Sequence, residues 1–399
     1  MTQSQPIART QPMARTCPFD PPQEYRALRE QEPIAPMTFR DGLTGLLASR
    51  YDDVRAVLAD PRFGAPRFAL RPGDSIPDET PVPPPAPGMF IMMDAPEHTR
   101  FRRLLMGQFT VRRMRQLTPR VEQFVAERLD EMARAEGPVD LVRVFALPIP
   151  SLVICELLGV PYADREQFQR NSATMVSLGS TAEAAQRATM AINQHIHQLV
   201  LAKRAEPTDD LLSDLVQVGE LTDEELACVG TLLLIAGHET TANMIALGTM
   251  CLLENPDQLA ALRADPALMD DAVEELLRYL TILQFGTRRM AHEDIKLGSY
   301  QIKAGTTMLV SMASANRDAA HFPGDPDTFD VRRPSRSHLA FGHGIHMCLG
   351  QQLARVEMKV ALSRLFDRFP TLRLAVPAKD VPMRDDMIIY GVHSLPVTW

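Results

Sequence analysis

Residues 338–366 read HLAFGHGIHMCLGQQLARVEMKVALSRLF, and the turn at Phe341–Gly350 decides how the rest of the chain is read. Cys348 stands in a segment holding Gly342, Gly344 and Gly350, and a run with helical periodicity follows at once. Leu349, Leu353, Val356 and Val360 suit one apolar face of a helix that starts just after the sulfur, and Leu362, Leu365 and Phe366 widen it. A helix N-terminus offers unpaired N–H groups and a partial positive charge, and both favour thiolate over thiol. The glycines let backbone approach closely or take positive φ, so a flat ligand has room to press on the loop. A lone buried cysteine ahead of a helix is usually a small hydrophobe. The glycine-rich frame points instead to a sulfur anion held against something planar.

Phe341, Gly344, His346, Cys348 and Gly350 fill every fixed position of a known pattern: Phe, two residues, Gly, one residue, His or Arg, one residue, Cys, one residue, Gly. FGHGIHMCLG thus resembles the haem-binding loop of the cytochrome P-450 family. The resemblance implies that Cys348 is the axial thiolate of a haem b and pushes electron density toward iron to help cleave O–O.

Composition narrows the alternatives. The length of 399 residues admits two domains or one large compact unit. No apolar run approaches the roughly eighteen residues that span a bilayer, and the start, MTQSQPIARTQPMART, is too polar for a secretory signal. A cytoplasmic protein without membrane attachment is the expectation. The cysteines at 17, 155, 228, 251 and 348 form no close pair, which argues against zinc clusters, C-x-x-C redox sites and C-x-x-C-H haem attachment, and fits a reducing compartment. A net charge of −8 gives nucleic-acid binding no electrostatic support.

In chain order, residues 1–18 read as a flexible leader and 19–399 as a single domain. DPPQEYRALREQEP reads as a short helix stopped by Pro33, LTGLLASRY as a strand, and YDDVRAVLADP as a helix closed by Asp60-Pro61. Proline dominates Arg62 to Gly88, which is either a linker or, as preferred, a loop folded over a pocket. Next comes a helix with Asp94 as N-cap and Pro96 in its first turn. On it His98 and Arg102 lie four apart and share a face; in the resemblance they contact haem propionates. Arg100, Arg102, Arg103, Arg112, Arg113 and Arg115 crowd together and also suit a positive patch for an acidic redox partner. From Val111 to about Leu215 amphipathic helix continues, broken at Gly137-Pro138, Gly159-Val160-Pro161 and Pro207, with LPIPSLVICELLGVP as core. His195 and His197, two apart on a helix, do not face each other and are read as packing or surface residues.

LTDEELACVGTLLLIAGHETTANMIALGTMCLLENP opens with Thr222 and Glu225 at capping-box spacing and closes before Pro256. Its roughly thirty residues would span about 45 to 50 Å. The helix is apolar on nearly every side, so it is buried, and His238, Glu239, Thr240 and Thr241 are out of place at its centre. A zinc protease would need a second histidine at 242, where alanine stands. Ala236-Gly237-His238-Glu239-Thr240 instead matches the family's oxygen-binding signature. There Gly237 and Thr240 mark a slight opening of the helix, Thr240 hydrogen-bonds dioxygen in the site, and Glu239 relays protons toward it. The plainer alternative for a buried threonine is a bond back to the carbonyl four residues earlier.

Glu275 and Arg278, three apart on one helix face, match the family's Glu-x-x-Arg, a structural lock completed by Arg333, with Arg332 the adjacent alternative. The resemblance also gives Arg289 and His346 to the haem propionates. IKLGSYQIKAGTTMLV reads as strands around a Lys-Ala-Gly turn, and RDDMIIYGVHSLPVTW as two more, whose turn reaches back into the cavity.

The fold expected is mainly α with a small β region, with a haem between the helix at 222–254 and the helix after Cys348. The resemblance is to soluble actinobacterial members and implies a monooxygenase of secondary metabolism. With O2 and two electrons, it would hydroxylate or epoxidise a hydrophobic small molecule. No flavin fingerprint or iron–sulfur cysteine set is present, so electrons would come from NAD(P)H through separate ferredoxin and ferredoxin reductase proteins to a monomer. Rivals on the same fold are a peroxide-driven enzyme, an isomerase and a haem sensor; the Glu239-Thr240 pair argues against them. Candidate substrate walls are Met89, Phe90, Met92, Leu232, Leu233, Ala236, Ile282, Leu283, Phe285, Met387 and Ile388, a methionine-rich set suited to a macrolide, polyketide, terpenoid or steroid, and equally to a peptide or a carrier-bound intermediate.

Overall fold

The computed structural model describes residues 9–65 and 84–399. Its helices, in chain order, are α1 (Glu24–Gln31), α2 (Tyr51–Ala59), α3 (Glu97–Met106), α4 (Val111–Ala133), α5 (Pro148–Leu158), α6 (Arg165–Val176), α7 (Ala182–Ala205), α8 (Leu211–Val218), α9 (Asp223–Glu254), α10 (Pro256–Ala264), α11 (Met269–Leu280), α12 (Met312–Ala315) and α13 (Gln351–Arg368). The strands are β1 (Arg9–Thr10), β2 (Ile34–Thr38), β3 (Thr44–Ala48), β4 (Phe63–Gly64), β5 (Val139–Asp140), β6 (Thr287–Ala291), β7 (Ile295–Leu297), β8 (Tyr300–Ile302), β9 (Thr307–Val310), β10 (Arg373–Leu374) and β11 (Pro396–Thr398). The chain divides into two compact units, one from Met1–Pro84, Leu283–Thr328 and His338–Met347, the other from Pro85–Ile282, Phe329–Ser337 and Cys348–Trp399.

The first unit is built on a sheet ordered β1-β2-β3-β9-β6-β4, with β7 and β8 as a separate hairpin. Strand residues alternate between its faces, and the two sets go into different cores. Ala35, Met37, Leu47 and Leu309 pack with Tyr25 and Leu28 of α1. Ile34, Ala48, Met308 and Val310 pack with Tyr51, Val54, Val57 and Leu58 of α2. Within the stretch read as a leader, β1 pairs in parallel with β2, Arg9 opposite Met37. Of the proline-rich segment, residues 66–83 lie outside the described residues, and with them most of the expected pocket loop.

The second unit surrounds α9, against which α5, α7, α11 and α13 pack. Thr222 Oγ1 accepts the Glu225 N–H at 3.2 Å and the Glu225 carboxylate accepts the Thr222 N–H at 2.9 Å, closing the expected capping box. Small residues decide where neighbours approach. A Cβ on Gly230 would stand 2.6 Å from Ile196 of α7, and one on Gly237 would stand 2.8 Å from Ile154 of α5. Gly237 thus allows close packing on α5, and α9 is assigned as helix through it.

Other expectations also shift. Pro96, not Asp94, occupies the N-cap of α3; it has no side-chain acceptor to offer, and the Asp94 carbonyl oxygen takes the His98 N–H instead. The break at 177–181, within SLGST, separates α6 from α7. α13 begins at Gln351 and buries Leu353, Glu357, Met358, Ala361, Leu362, Leu365 and Phe366, while Leu349, Val356 and Val360 are half-buried. α4, α9 and α11 each pack on this helix, so its buried surface is wider than one stripe and includes a carboxyl group.

A buried ion cluster fastens α11 to the segment ahead of the cysteine. Glu275 accepts from Arg278 Nε at 2.7 Å and from its second nitrogen at 2.8 Å, from Arg333 Nε at 3.3 Å, from the Asp330 N–H at 3.1 Å and from the Ser335 hydroxyl. Glu275 and Arg278 are fully buried, Arg333 nearly so, and Arg332 is exposed, which settles the partner as Arg333. Removing one member of such a cluster strands the others' charges in a poor solvent. Glu275→Ala should cost about 3–5 kcal/mol in urea unfolding, whereas Arg332→Ala should stay within about 0.5 kcal/mol of the parent; equal effects would show that the cluster is not what holds this segment.

Candidate active site

Within the second unit, the Cys348 thiol is turned toward the first N–H groups of α13 and accepts from those of Gly350 and Gln351. Arg102 of α3 and Arg355 of α13 add positive charge around it. Burial nevertheless outweighs all four and pushes the thiol above its usual range. Arg102 is pulled the other way by the same crowding, its guanidinium destabilised by burial and partly compensated by Cys348. Cys348 is exposed although protein surrounds it on most sides, as expected of a group on the wall of a hollow. At Gly350 an added Cβ would meet nothing within 4 Å. His98 is buried on the same helix face as Arg102, one turn away.

α9 carries the complementary feature. It is buried almost throughout, yet Ala236 at mid-length is exposed, and Leu232 and Thr240, one turn either side, are partly so. Leu232, Ala236 and Thr240 at i, i+4 and i+8 form one open stripe. Thr240 Oγ1 donates to the Ala236 carbonyl at 2.8 Å, the bond back along the helix, which leaves the hydroxyl oxygen as an acceptor.

Next to this stripe the polar groups are buried. Glu239 Oε2 accepts from Arg384 at 3.1 Å, and Asn243 Nδ2 donates to the Glu239 carbonyl oxygen at 2.7 Å. His238 Nδ1 lies 2.6 Å from the Leu234 carbonyl, which fixes Nδ1 as the protonated nitrogen, and Nε2 stands 3.8 Å from Glu239 Oε1. Burial and, to a lesser extent, Arg384 push the His238 pKa below its usual value, against Glu239 and the Leu234 bond. Arg384, Asn243 and Arg355, which grips Glu274 with two nitrogens, were not singled out in the sequence. Arg384 lies 145 positions from its partner in an irregular turn, where no periodicity marks it.

The expected substrate walls divide. Phe90 is a correction: it is buried with its ring centroid 6.3 Å from those of both His98 and Phe101, and so belongs to packing. Met89, Met92, Leu232 and Ile388 are half-buried, and Leu233, Ile282 and Met387 are buried. In the first unit, Leu283 packs on the α2 core and Phe285 lies under Arg40, 5.4 Å away. Arg289 of that unit sits within β6 opposite Met308, buried, and donates to the Arg288 carbonyl at 2.9 Å. His346 ends the Gly344–His346 turn, half-buried. Gly344 there has φ +73, and any side chain would run into the Leu58 carbonyl, so the turn requires glycine.

The arginine cluster is less free than its sequence suggests. Arg100 pairs with Glu225, Arg103 with Glu220, and Arg113 lies 3.6 Å from Asp209. Arg112 and Arg115 of α4 are exposed, with no acidic partner among the described residues. Among the described residues no three His, Cys, Asp or Glu side chains gather as a metal site, and His195 faces Asp164 at 3.4 Å.

A soft thiolate donor, open space above Gly350 and a guanidinium with an imidazole one turn apart fit a flat, anionic, metal-centred cofactor. The comparisons agree. Residues 168–396 match the family model described as Cytochrome P450. The chain is 48% identical over 99% of its length to Cytochrome P450-SU2 of Streptomyces griseolus, covering 98% of that protein. It is 50% identical to Cytochrome P450 105C1 of a Streptomyces species, with 100% of both chains covered. The crystal structure of CYP105P1 in complex with filipin I superposes with a TM-score of 0.93 at 44% identity, covering 98% of this chain and 99% of that one. The chain belongs to the cytochrome P450 family and is a haem-thiolate monooxygenase.

Proposed function

We propose that the protein oxidises a free, hydrophobic small molecule of secondary metabolism, hydroxylating or epoxidising a macrolide, polyketide, terpenoid or steroid with electrons from a ferredoxin and NAD(P)H. The observation that carries this reading is the open stripe Leu232–Ala236–Thr240 at the middle of a mostly buried helix. An apolar wall that ends in an alcohol and an acid suits oxygen chemistry beside a water-poor substrate. The likeness to a protein crystallised with filipin I supports a large ligand.

Bound haem supplies O2 activation, using two electrons to deliver one oxygen atom to a C–H or C=C bond while the other leaves as water. The protein's residues do the rest. Cys348 would hold the haem iron, and the Gly350 and Gln351 N–H groups would stabilise its negative charge. That support does not overcome burial of the free thiol, so the thiolate needs the metal's charge as well. His98 and Arg102 are assigned to the cofactor's carboxylates, with Arg289 and His346 assigned by their motifs. Thr240 holds oxygen by hydrogen bonds, and Glu239 supplies it with protons.

Optical spectra of the purified protein test the core of this reading. Cys348→Ala should lose the thiolate-type carbon monoxide spectrum of the reduced protein. The parent should pass from low to high spin when titrated with its ligand class from a panel of macrolides, terpenoids, steroids and fatty acids. Retention of the thiolate spectrum in the variant would sink the ligand assignment, and a Soret band that no member shifts would sink the free-substrate assignment.

Thr240→Ala should still bind ligand but divert electrons to hydrogen peroxide, with product per NAD(P)H falling by about tenfold or more if the hydroxyl serves proton delivery; unchanged coupling removes Thr240 from the relay. For the redox partner, Arg112 and Arg115 offer the unpaired charge. The double variant Arg112→Glu/Arg115→Glu should raise the ferredoxin concentration needed for half-maximal reduction, most at low salt. A titration that does not move would place docking elsewhere.

A further inference from the structure

The geometry points to Arg384 as a positioning residue for the oxygen relay: projected from a pinned C-terminal turn, it sets its guanidinium against the Glu239 carboxyl group and holds it in one orientation. This rests on the proposed relay and names how its acid is set.

Glu239 is buried on α9, and an isolated carboxylate there would take up a proton rather than remain charged. Two groups approach its oxygens. His238 Nε2 is 3.8 Å from Oε1, beyond hydrogen-bond reach, and its ring already donates from Nδ1 to the Leu234 carbonyl. With Phe168 of α6 edge-on to that ring at 5.4 Å and full burial, the imidazole is neutral and supplies no charge. Arg384 donates to Oε2 at 3.1 Å and is itself nearly buried, so it is the cation facing this carboxylate among the described residues.

The backbone that carries Arg384 is tied down in several places. Its N–H donates to the Gly391 carbonyl at 3.0 Å, and Met383 bridges Val392, closing the turn. Met387 bridges Ser177, and the Ile388 N–H donates to the Val176 carbonyl at 2.9 Å, where α6 ends. The Tyr390 N–H donates to the Ile282 carbonyl at 2.8 Å, just past α11. Gly391 lies flat against Asn243, leaving no room for a side chain, and Asn243 in turn holds the Glu239 carbonyl. Acid, arginine and the residues on which both are mounted therefore form one closed circuit. Because Met387 and Ile388 lie on the same turn as Arg384, the segment assigned to the substrate wall and the segment that sets the acid are mechanically continuous.

Infrared difference spectra of the haem-loaded ferric protein, compared across variants, read the carboxyl directly. Glu357, with no partner on its Oε2 among the described residues and its pKa pushed up by burial, is common to every variant, so its contribution cancels in the difference spectra. Arg384→Ala should gain a protonated-carboxyl band that Arg384→Ala/Glu239→Gln lacks, and Arg384→Lys should not. In turnover Arg384→Ala should form several-fold less product per NAD(P)H, with its carbon monoxide spectrum and ligand-induced spin shift unchanged, and Arg384→Lys should restore most of the loss. Absence of the new band, or a loss that lysine does not restore, overturns the inference. A fully coupled Glu239→Gln would overturn the relay reading instead, and the band would still decide the role of Arg384.

Discussion

A helix buried on nearly every side can carry a polar group only where something satisfies it or where a hollow meets it. α9 is under that constraint for most of its 32 residues, and four of its polar side chains bond back to the carbonyl one turn earlier. Thr249 returns its hydroxyl to the Ile245 carbonyl, Asn243 to Glu239, His238 to Leu234, and Thr240 to Ala236. At mid-length the helix opens along Leu232, Ala236 and Thr240, with Ile235 and Gly237 partly exposed beside them, and the neighbouring acid is matched by an arginine brought from the far end of the chain. The catalytic character of the helix follows from where burial stops.

The same economy governs the proximal side. Glu275 gathers two guanidiniums, a hydroxyl and a backbone N–H, so that no charge in the cluster lacks a partner, and Arg355 ties α13 to Glu274 on the same helix. These contacts hold rigid the elements on either side of the residue that must present a sulfur. The thiol itself is left in surroundings that disfavour its anion.

Much of the candidate site was legible because it is local in sequence. The capping box at Thr222 and Glu225, the Glu275–Arg278 spacing and the Cys348 turn each depend on residues within a few positions, and each formed as read. The errors came where a local rule met a longer-range demand. Gly237, marked in the resemblance as a place where the helix opens, also gives Ile154 of α5 room to approach. Phe90 was read as wall and is packing for His98 and Phe101. The apolar face of α13 was drawn too narrow because three helices, not one, press on it.

The sequence by itself determined most of the helices and the short motifs they carry, since periodicity, caps and short motifs act over one or two turns. Tertiary structure alone decided which of two adjacent arginines closes the buried cluster, which arginines of a basic run remain unpaired, and that Arg384 meets Glu239. Those choices turn on burial and on partners dozens to hundreds of positions away, and a charge in low dielectric is governed by what surrounds it in space rather than by its neighbours along the chain.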